Sequence, residues 1–159
     1  MKITSCRLSL RFLRVAASSN MTTHQQSMVI QTRGRGSSEI TAAVTEVVRT
    51  SGIVTGVAHV FVQHTSCSLM ITENADPAVR HDLEMLAKRW APDGDRNYQH
   101  DNEGDDDMAA HARSVLTGSS VSVPVGAGEL LLGTWQGVYL WEHRTSPHQR
   151  VVIVTVIGD

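Results

Sequence analysis

Three histidines lie in polar parts of the sequence where their imidazoles could bind an ion. His64 follows a β-branched run, His100 lies in an acidic stretch, and His111 comes four residues after Asp107. That spacing places Asp107 and His111 on one face of a helix, where both can turn towards the same ligand. Three imidazoles with an open coordination position form a familiar catalytic zinc arrangement. The alternative is that a strand-end, a loop and a helix-face histidine each make ordinary hydrogen bonds.

The polar segment 73–77, ENADP, offers a second group of candidate residues. Asn74 and Asp76 could contact a substrate, and Asp76 also precedes Pro77, which suits the first turn of a helix. Asparagine and aspartate are equally at home as turn formers and helix caps. The residues alone leave both roles open.

The segment 133–137, GTWQG, is the third candidate. Its two glycines allow the backbone to approach an anion closely, with Thr134 and Gln136 as hydrogen-bond donors. It lacks the lysine and the following helix of a standard phosphate loop. The alternative is a bulge between two strands, with Trp135 packed in the core.

Cys67 lies close to His64 but is a weak candidate for a nucleophile. A reactive thiol needs a basic neighbour, whereas Cys67 is flanked by apolar positions at Leu69 and Ile71. These neighbours predict a small buried side chain. Cys6, the other cysteine, lies in a different context, so no disulfide framework is expected.

Length and charge exclude several classes of protein. A chain of 159 residues is most simply one domain with a sizeable core. The formal net charge is −2 and no basic patch with interleaved aromatic residues is present, which argues against a nucleic-acid partner. No apolar run approaches the roughly 20 residues that span a bilayer, which argues against a membrane protein.

Residues 1–20 differ from the remainder of the chain. They carry four basic residues, many serines and no acidic residue, which is typical of an organellar transit peptide. The alternative is a gene-model extension upstream of Met21. Either interpretation places residues 1–20 outside a folded domain at 21–159. A transit peptide implies an organellar protein, and a gene-model extension implies a cytoplasmic one.

Hydrophobic periodicity predicts an α+β domain with a mostly antiparallel sheet and two to three helices. A first helix is expected from about residue 39, capped by Ser37 or Ser38 and ended at Gly52. The other predicted helices cover residues 77–89, with Asp76 as the cap, and 108–116. Strands are predicted near residues 28–30, at 54–62 within a β-rich run that continues to residue 70, at 120–125, from 129 to 133, at 138–143 and at 150–157.

Three long segments together resemble the YjbQ-like family, known as secondary thiamine-phosphate synthases. They are HTSCSLMITENADPAVRHDLE, YQHDNEGDDDMAAHARSVLTGSSVSVPV and GELLLGTWQGVYLWEHR, in that order along the chain. The likeness covers about residues 24–158. It implies a compact α+β protein that assembles as a homotrimer with clefts between subunits. Where family members often have alanine after HTS, this chain has Cys67, which argues against an essential thiol.

The resemblance also implies roles for particular residues. The family's motif histidines match His64, His100 and His111, which with Asp107 would hold a divalent metal, zinc or magnesium. The residues matched to catalysis are His64, Asn74, Asp76 and Gln136. Those matched to substrate or phosphate binding are Thr65, Ser66, Gly133, Thr134, Gly137 and Glu142.

The implied reaction joins a thiazole phosphate to a pyrimidine diphosphate and releases pyrophosphate. Such a site must hold anionic groups and stabilise the departing diphosphate, by a metal or by oriented donors. Two other functions stay open: a metal-dependent hydrolase of phosphates or esters, and a trimer that binds a metal or small ligand without catalysis. A phosphorylated small molecule is the expected partner.

Overall fold

Eight strands and three helices form the described part of the chain, residues 20–159, in the computed structural model. In chain order they are β1 (Thr22–Gln31), β2 (Gly36–Glu39), α1 (Thr41–Ser51), β3 (Gly56–Val62), β4 (Cys67–Glu73), α2 (Pro77–Trp90), α3 (Asp107–Thr117), β5 (Ser120–Gly126), β6 (Glu129–Leu130), β7 (Gln136–Glu142) and β8 (Gln149–Gly158). The strands make a five-stranded sheet, β1-β8-β3-β5-β6, and a three-stranded sheet, β2-β7-β4. Every pairing in both sheets is antiparallel.

The core lies between the two sheets and α1. On β3 and β8 the alternate residues are buried, as in Ala58, Val60 and Val62, because successive side chains of a strand point to opposite faces. They join Leu69 of β4 and Leu140 of β7 in one apolar cluster. Each buried valine or leucine side chain of this cluster stabilises the fold by about 1.5–3 kcal/mol. The predicted α+β class and antiparallel sheet are therefore confirmed.

Helix α1 begins differently from the prediction. Ser37 and Ser38 do not cap it but belong to β2, and the N-cap is Ile40, which makes no side-chain capping bond. Strand β2 was not predicted, because its sequence, GSSE, has little β propensity; pairing with β7 creates it. The predicted end is confirmed, since Gly52 has φ 71° and donates its N–H to Arg49 O.

The β-rich run 57–70 is two strands rather than one. Strand β3 belongs to the five-stranded sheet and β4 to the three-stranded sheet. Residues 63–66 carry the chain from one sheet to the other, so His64 lies in that crossing. Strand β4 also extends beyond the predicted run, to Glu73, the first residue of the polar segment 73–77.

Two further predicted boundaries differ from the structure. The strand expected at 129–133 is only the two residues of β6, because the chain turns away before Gly133. The strand expected from residue 54 begins at Gly56, whose position against Ile157 O leaves no space for a Cβ atom.

The predicted leader, residues 1–20, lies outside the described residues except for Asn20. Within residues 20–159, no helix combines the length and apolarity needed to cross a membrane.

Candidate metal centre

Helix α3 and the loop before it bring His100, Asp107 and His111 together. Asp107 is the first residue of α3, and His111 lies one turn later on the same face. Asp107 Oδ2 is 2.8 Å from His100 Nε2 and 3.4 Å from His111 Nε2. One ligand atom from each of the three residues lies within 4.8 Å of the others. The three side chains could thus bind one cation.

The backbone of Thr65 orients the imidazole of His111. His111 Nδ1 lies 3.0 Å from Thr65 O, a distance at which an Nδ1–H donates to the carbonyl. That tautomer leaves the lone pair of Nε2 free on the side of Asp107. Metal-bound histidines are usually held by such a hydrogen bond from the other ring nitrogen. Thr65 is predicted to contact substrate, and its main-chain carbonyl also positions His111, one of the candidate metal ligands.

The carboxylate of Asp107 is buried and only half satisfied. Oδ1 accepts a hydrogen bond from Arg144 Nη1, a cation that also bonds Glu103 O. Within residues 20–159, Oδ2 is buried without an aligned donor, although His100 Nε2 lies 2.8 Å away. A buried carboxylate oxygen without a partner is costly, and a cation would satisfy it. These three residues therefore fit a metal ion.

The donor set distinguishes between metals. Two imidazole nitrogens and one carboxylate oxygen suit zinc and similar transition metals, whereas magnesium prefers oxygen ligands. The side chain of His100 is 48% exposed and that of His111 31% exposed, so both imidazoles reach solvent while Asp107 lies buried behind them. Three protein ligands would leave at least one coordination position open.

His64, the fourth predicted ligand, does not belong to this group. Its Nε2 accepts a hydrogen bond from Val151 N at 2.9 Å, which occupies that lone pair. Burial and the charge of Arg150 lower the pKa of His64, so the imidazole is neutral at pH 7. His64 nevertheless lines a cavity of about 440 Å³ together with Thr65 and His111. It faces the same space as the candidate metal centre without sharing the ligand set.

Behind His64 lies a buried ion pair that was not predicted from the sequence. Arg150 donates to both carboxylate oxygens of Glu142, at 2.7 and 2.6 Å, and to Ser66 Oγ at 3.0 Å. Glu142 also accepts from Thr32 Oγ1 at 3.0 Å. Burial opposes ionisation of Glu142, but the bonds from Arg150 outweigh it and lower the pKa of that carboxyl.

The predicted substrate-binding residues Ser66 and Glu142 are thus inside the protein. Their side chains are bound to Arg150, and Glu142 is 1% exposed, so within this chain neither faces the cavity. The sequence contained a sign of the pair, since Arg150 is the second residue of the mostly apolar strand β8, where a charge needs a partner. Arg144, the partner of Asp107, had no comparable signal.

Cys67 and His143 lie close to this pair and are also buried. The prediction of a small buried side chain at Cys67 is confirmed, and burial raises the pKa of its thiol to about 12. Burial lowers the pKa of His143 to about 3, helped by the charge of Arg113. His143 Nε2 is 2.9 Å from Ser68 Oγ, and both side chains are out of contact with solvent.

The remaining predicted residues form a separate cluster around the turn before β7. Asn74 donates its backbone N–H to Trp135 O at 3.0 Å and its Nδ2 to Gln136 O at 3.3 Å. Gln136 Oε1 accepts from Gly133 N at 2.8 Å, which closes the turn on itself. Thr134 is exposed on the turn.

Asp76 and Gly137 have structural roles in this cluster. Asp76 caps α2 by accepting from Ala78 N at 2.8 Å, as its helix-capping alternative predicted. Gly137 is buried, and a Cβ there would lie 2.9 Å from the ring of Tyr139. Trp135 is 64% exposed, so the alternative that placed it in the core is wrong.

The two clusters lie at opposite ends of the β4–β7 pair. Cys67 pairs with Glu142 at one end and Glu73 with Gln136 at the other. At about 3.4 Å per residue, the seven residues of β4 separate the ends by roughly 20 Å. The structure therefore brings together His100, Asp107 and His111, with His64 and Thr65 beside them, and places the ENADP and GTWQG segments elsewhere.

Comparisons with known proteins agree on one family. The UPF0047 YjbQ-like family matches residues 20–159. A UPF0047 protein from Synechocystis is 48% identical over 91% of this chain and 99% of its own length, and YjbQ from Escherichia coli O157:H7 is 39% identical over 86% and 99%.

Solved structures show the same fold. A protein of unknown function from Sulfolobus solfataricus has a TM-score of 0.80 at 26% identity, covering 88% of this chain and all of its own. A YjbQ/UPF0047 protein from Clostridium acetobutylicum has a TM-score of 0.76 at 35% identity, covering 82% of this chain and 98% of its own.

Proposed function

Because the chain belongs to the UPF0047 YjbQ-like family, whose activity its relatives' names leave open, we propose a function from the geometry of the site. We propose that the protein is a zinc-type metalloenzyme that acts on a phosphorylated small molecule. His100, Asp107 and His111 are the metal ligands. The observation that supports the proposal is the buried Asp107 Oδ2, which has no aligned donor in the described part of the chain and lies beside two imidazole Nε2 atoms.

The other residues of the site have supporting roles. A divalent ion at this position would supply Lewis acidity and charge neutralisation for a phosphate. Arg144 holds Asp107 in place, and Thr65 O holds His111. His64 borders the cavity as a neutral imidazole, so it forms part of the cavity wall without adding charge. The cavity of about 440 Å³ is large enough for a small phosphorylated molecule.

Thiamine-phosphate synthesis is the transfer reaction that the family resemblance suggests, and it is the first reaction to test. What supports it is the need of that reaction to stabilise a departing diphosphate, which a metal next to an open cavity serves. Hydrolysis is the competing reaction, and the exposure of His100 favours it, because water reaches the ligands directly. The homotrimer stays a prediction.

Metal content is the decisive measurement for the ligand set. Protein purified without a histidine tag should carry about one zinc ion per chain, and His111→Ala and Asp107→Asn should lose most of it. His81→Ala is the matched control, because His81 is an exposed histidine on α2, remote from the three ligands. Equal metal content in the wild type and His111→Ala would contradict the proposed ligand set.

Turnover then separates the reactions. A transferase requires both thiamine precursors together and releases pyrophosphate, whereas a hydrolase acts on a single phosphorylated substrate. In either case Asp107→Asn should abolish turnover, and His81→Ala should retain it. A protein that binds the metal but turns over neither kind of substrate would be the non-catalytic binding protein.

A further inference from the structure

The cleft beside Trp135 has the chemistry of a second ligand site. It measures about 530 Å³, within the usual range for small-molecule sites, and lies at the end of the β4–β7 pair away from the candidate metal centre. Its described lining residues are Ile71, Thr72, Glu73, Ala75, Trp135 and Gln136. Neither Trp135 nor Glu73 has a role in the proposed metal chemistry.

Trp135 is exposed although its backbone is tightly held. Its carbonyl accepts from Asn74 N at 3.0 Å, and the turn that carries it is closed by Gln136 N donating to Gly133 O at 2.9 Å. The amide side chain of Gln136 adds a bond from Gly133 N at 2.8 Å. A turn fixed by these bonds presents an indole that is 64% exposed, so little freedom is lost when a ring stacks on it.

The charge of the cleft selects the kind of ring. Glu73 is the single charged residue among the six that line it. The nearest cation along the chain, Arg80, donates to the main-chain carbonyl of Glu73 at 3.1 Å and lies over the ring of Tyr139 at 5.2 Å. A cleft lined by both a carboxylate residue and an exposed indole favours a flat ligand with positive charge, because the ring face is itself electron-rich.

We propose that this cleft binds a planar, cationic nitrogen heterocycle that stacks on Trp135 and pairs with Glu73. This assignment differs from the phosphate-binding role that the GTWQG pattern suggested, since the lining offers no cation to an anion. It is also separate from the metal centre, because the cleft and the metal centre share no lining residue or ligand and lie at different ends of β4, which is roughly 20 Å long.

A charge series on one ring tests the proposal. The probes are 1-methylnicotinamide, nicotinamide and nicotinate, which are cationic, neutral and anionic, and binding is measured by isothermal titration calorimetry on the full-length protein. The cation should bind most tightly and the anion least. Trp135→Ala should weaken binding of the cation about tenfold or more, as loss of an aromatic stacking partner does, and Trp135→Phe should restore part of it.

Matched variants separate the two contacts. Trp90→Ala is the control for loss of an exposed tryptophan, because Trp90 is 55% exposed at the end of α2 and lines a different cavity. It should leave binding unchanged. Glu73→Gln should remove the preference for the cation over nicotinamide while stacking persists.

Repeating the titration after metal removal distinguishes this cleft from the metal centre, because the affinity of the cation for the Trp135 cleft should be unchanged without metal. Unchanged affinity in Trp135→Ala, or tightest binding of nicotinate, would overturn the proposal. A change in solution mass on Trp135→Ala would overturn it as well, because the indole would then belong to an interface between copies of the chain.

Discussion

The two ends of the β4–β7 pair are built by different means. At the end near His64, charged side chains are buried and bonded to partners from distant parts of the chain, such as Thr32 with Glu142 and Arg144 with Asp107. At the end near Trp135, exposed residues make turn and cap bonds, such as Gly133 with Gln136 and Asp76 with Ala78, and the uncharged Asn74 joins the two segments.

This difference predicts how each end responds to substitution. A buried charge that loses its partner costs its full desolvation, whereas a broken turn or cap bond can be replaced by water. The first end should therefore be sensitive to single changes and to pH. The second end should tolerate polar substitutions and be destabilised mainly by substitutions that add volume.

The largest effect is expected from Glu142→Gln. The substitution keeps the shape but leaves the Arg150 guanidinium buried without its counter-charge, which should destabilise the protein by about 3–5 kcal/mol. Urea unfolding measures it. The exposed pair Arg49–Glu46 on α1 supplies the control, and Glu46→Gln should leave the unfolding midpoint unchanged. Equal midpoints for Glu142→Gln and the wild type would show that the Arg150 charge is solvated.

The second prediction concerns acid stability. Because burial lowers the pKa of His143 from 6.5 to about 3, protonation favours the unfolded chain. The contribution of neutral His143 to the free energy of unfolding is complete above about pH 6.5. It is lost as the pH falls towards 3, at about 1.4 kcal/mol per pH unit. At pH 4.5 the loss from this residue is about 3 kcal/mol.

His143→Gln removes that titration. The fall in unfolding free energy between pH 7 and pH 4.5 should be smaller in the variant by about 3 kcal/mol, measured by urea titrations at both values. His59→Gln is the control, because His59 lies on the exposed face of β3. Parallel pH profiles in the wild type and His143→Gln would mean that His143 opens to solvent before it is protonated.

The contrast between the ends also explains what the sequence could predict. Helix α2 with its Asp76 cap and the i, i+4 pair Asp107–His111 were predictable, because both depend on local spacing. The crossing at 63–66 was not, because β3 and β4 are both β-rich and only pairing across the whole chain assigns them to different sheets. The ion pair of Arg150 with Glu142 is likewise invisible to motifs, and it takes Glu142 out of reach of a substrate.

At the other end, Gly137→Ala should have the next largest effect. The new Cβ would lie 2.9 Å from the ring of Tyr139, which is buried and covered by Arg80, and 3.0 Å from Glu39 Oε1. The ring has little room to move, so overpacking should cost about 1–3 kcal/mol in thermal or urea unfolding. In a Glu39→Ala background the added cost should fall only slightly, since the Tyr139 contact remains. If Gly137→Ala costs no stability in the Glu39→Ala background, the contact of the new Cβ with Glu39, not with Tyr139, causes the destabilisation.

The smallest effect is expected from Asp76→Ala. Asp76 is exposed and its one structural bond is the 2.8 Å cap to Ala78 N, so its loss should cost about 1 kcal/mol. Asp76→Asn should retain most of that stability, because an asparagine oxygen caps equally well, and Asp82→Ala on the exposed face of the same helix should be neutral. If Asp76→Asn keeps the stability but abolishes turnover, the carboxylate has a chemical role after all, and the end near Trp135 belongs to the reaction as well as to the fold.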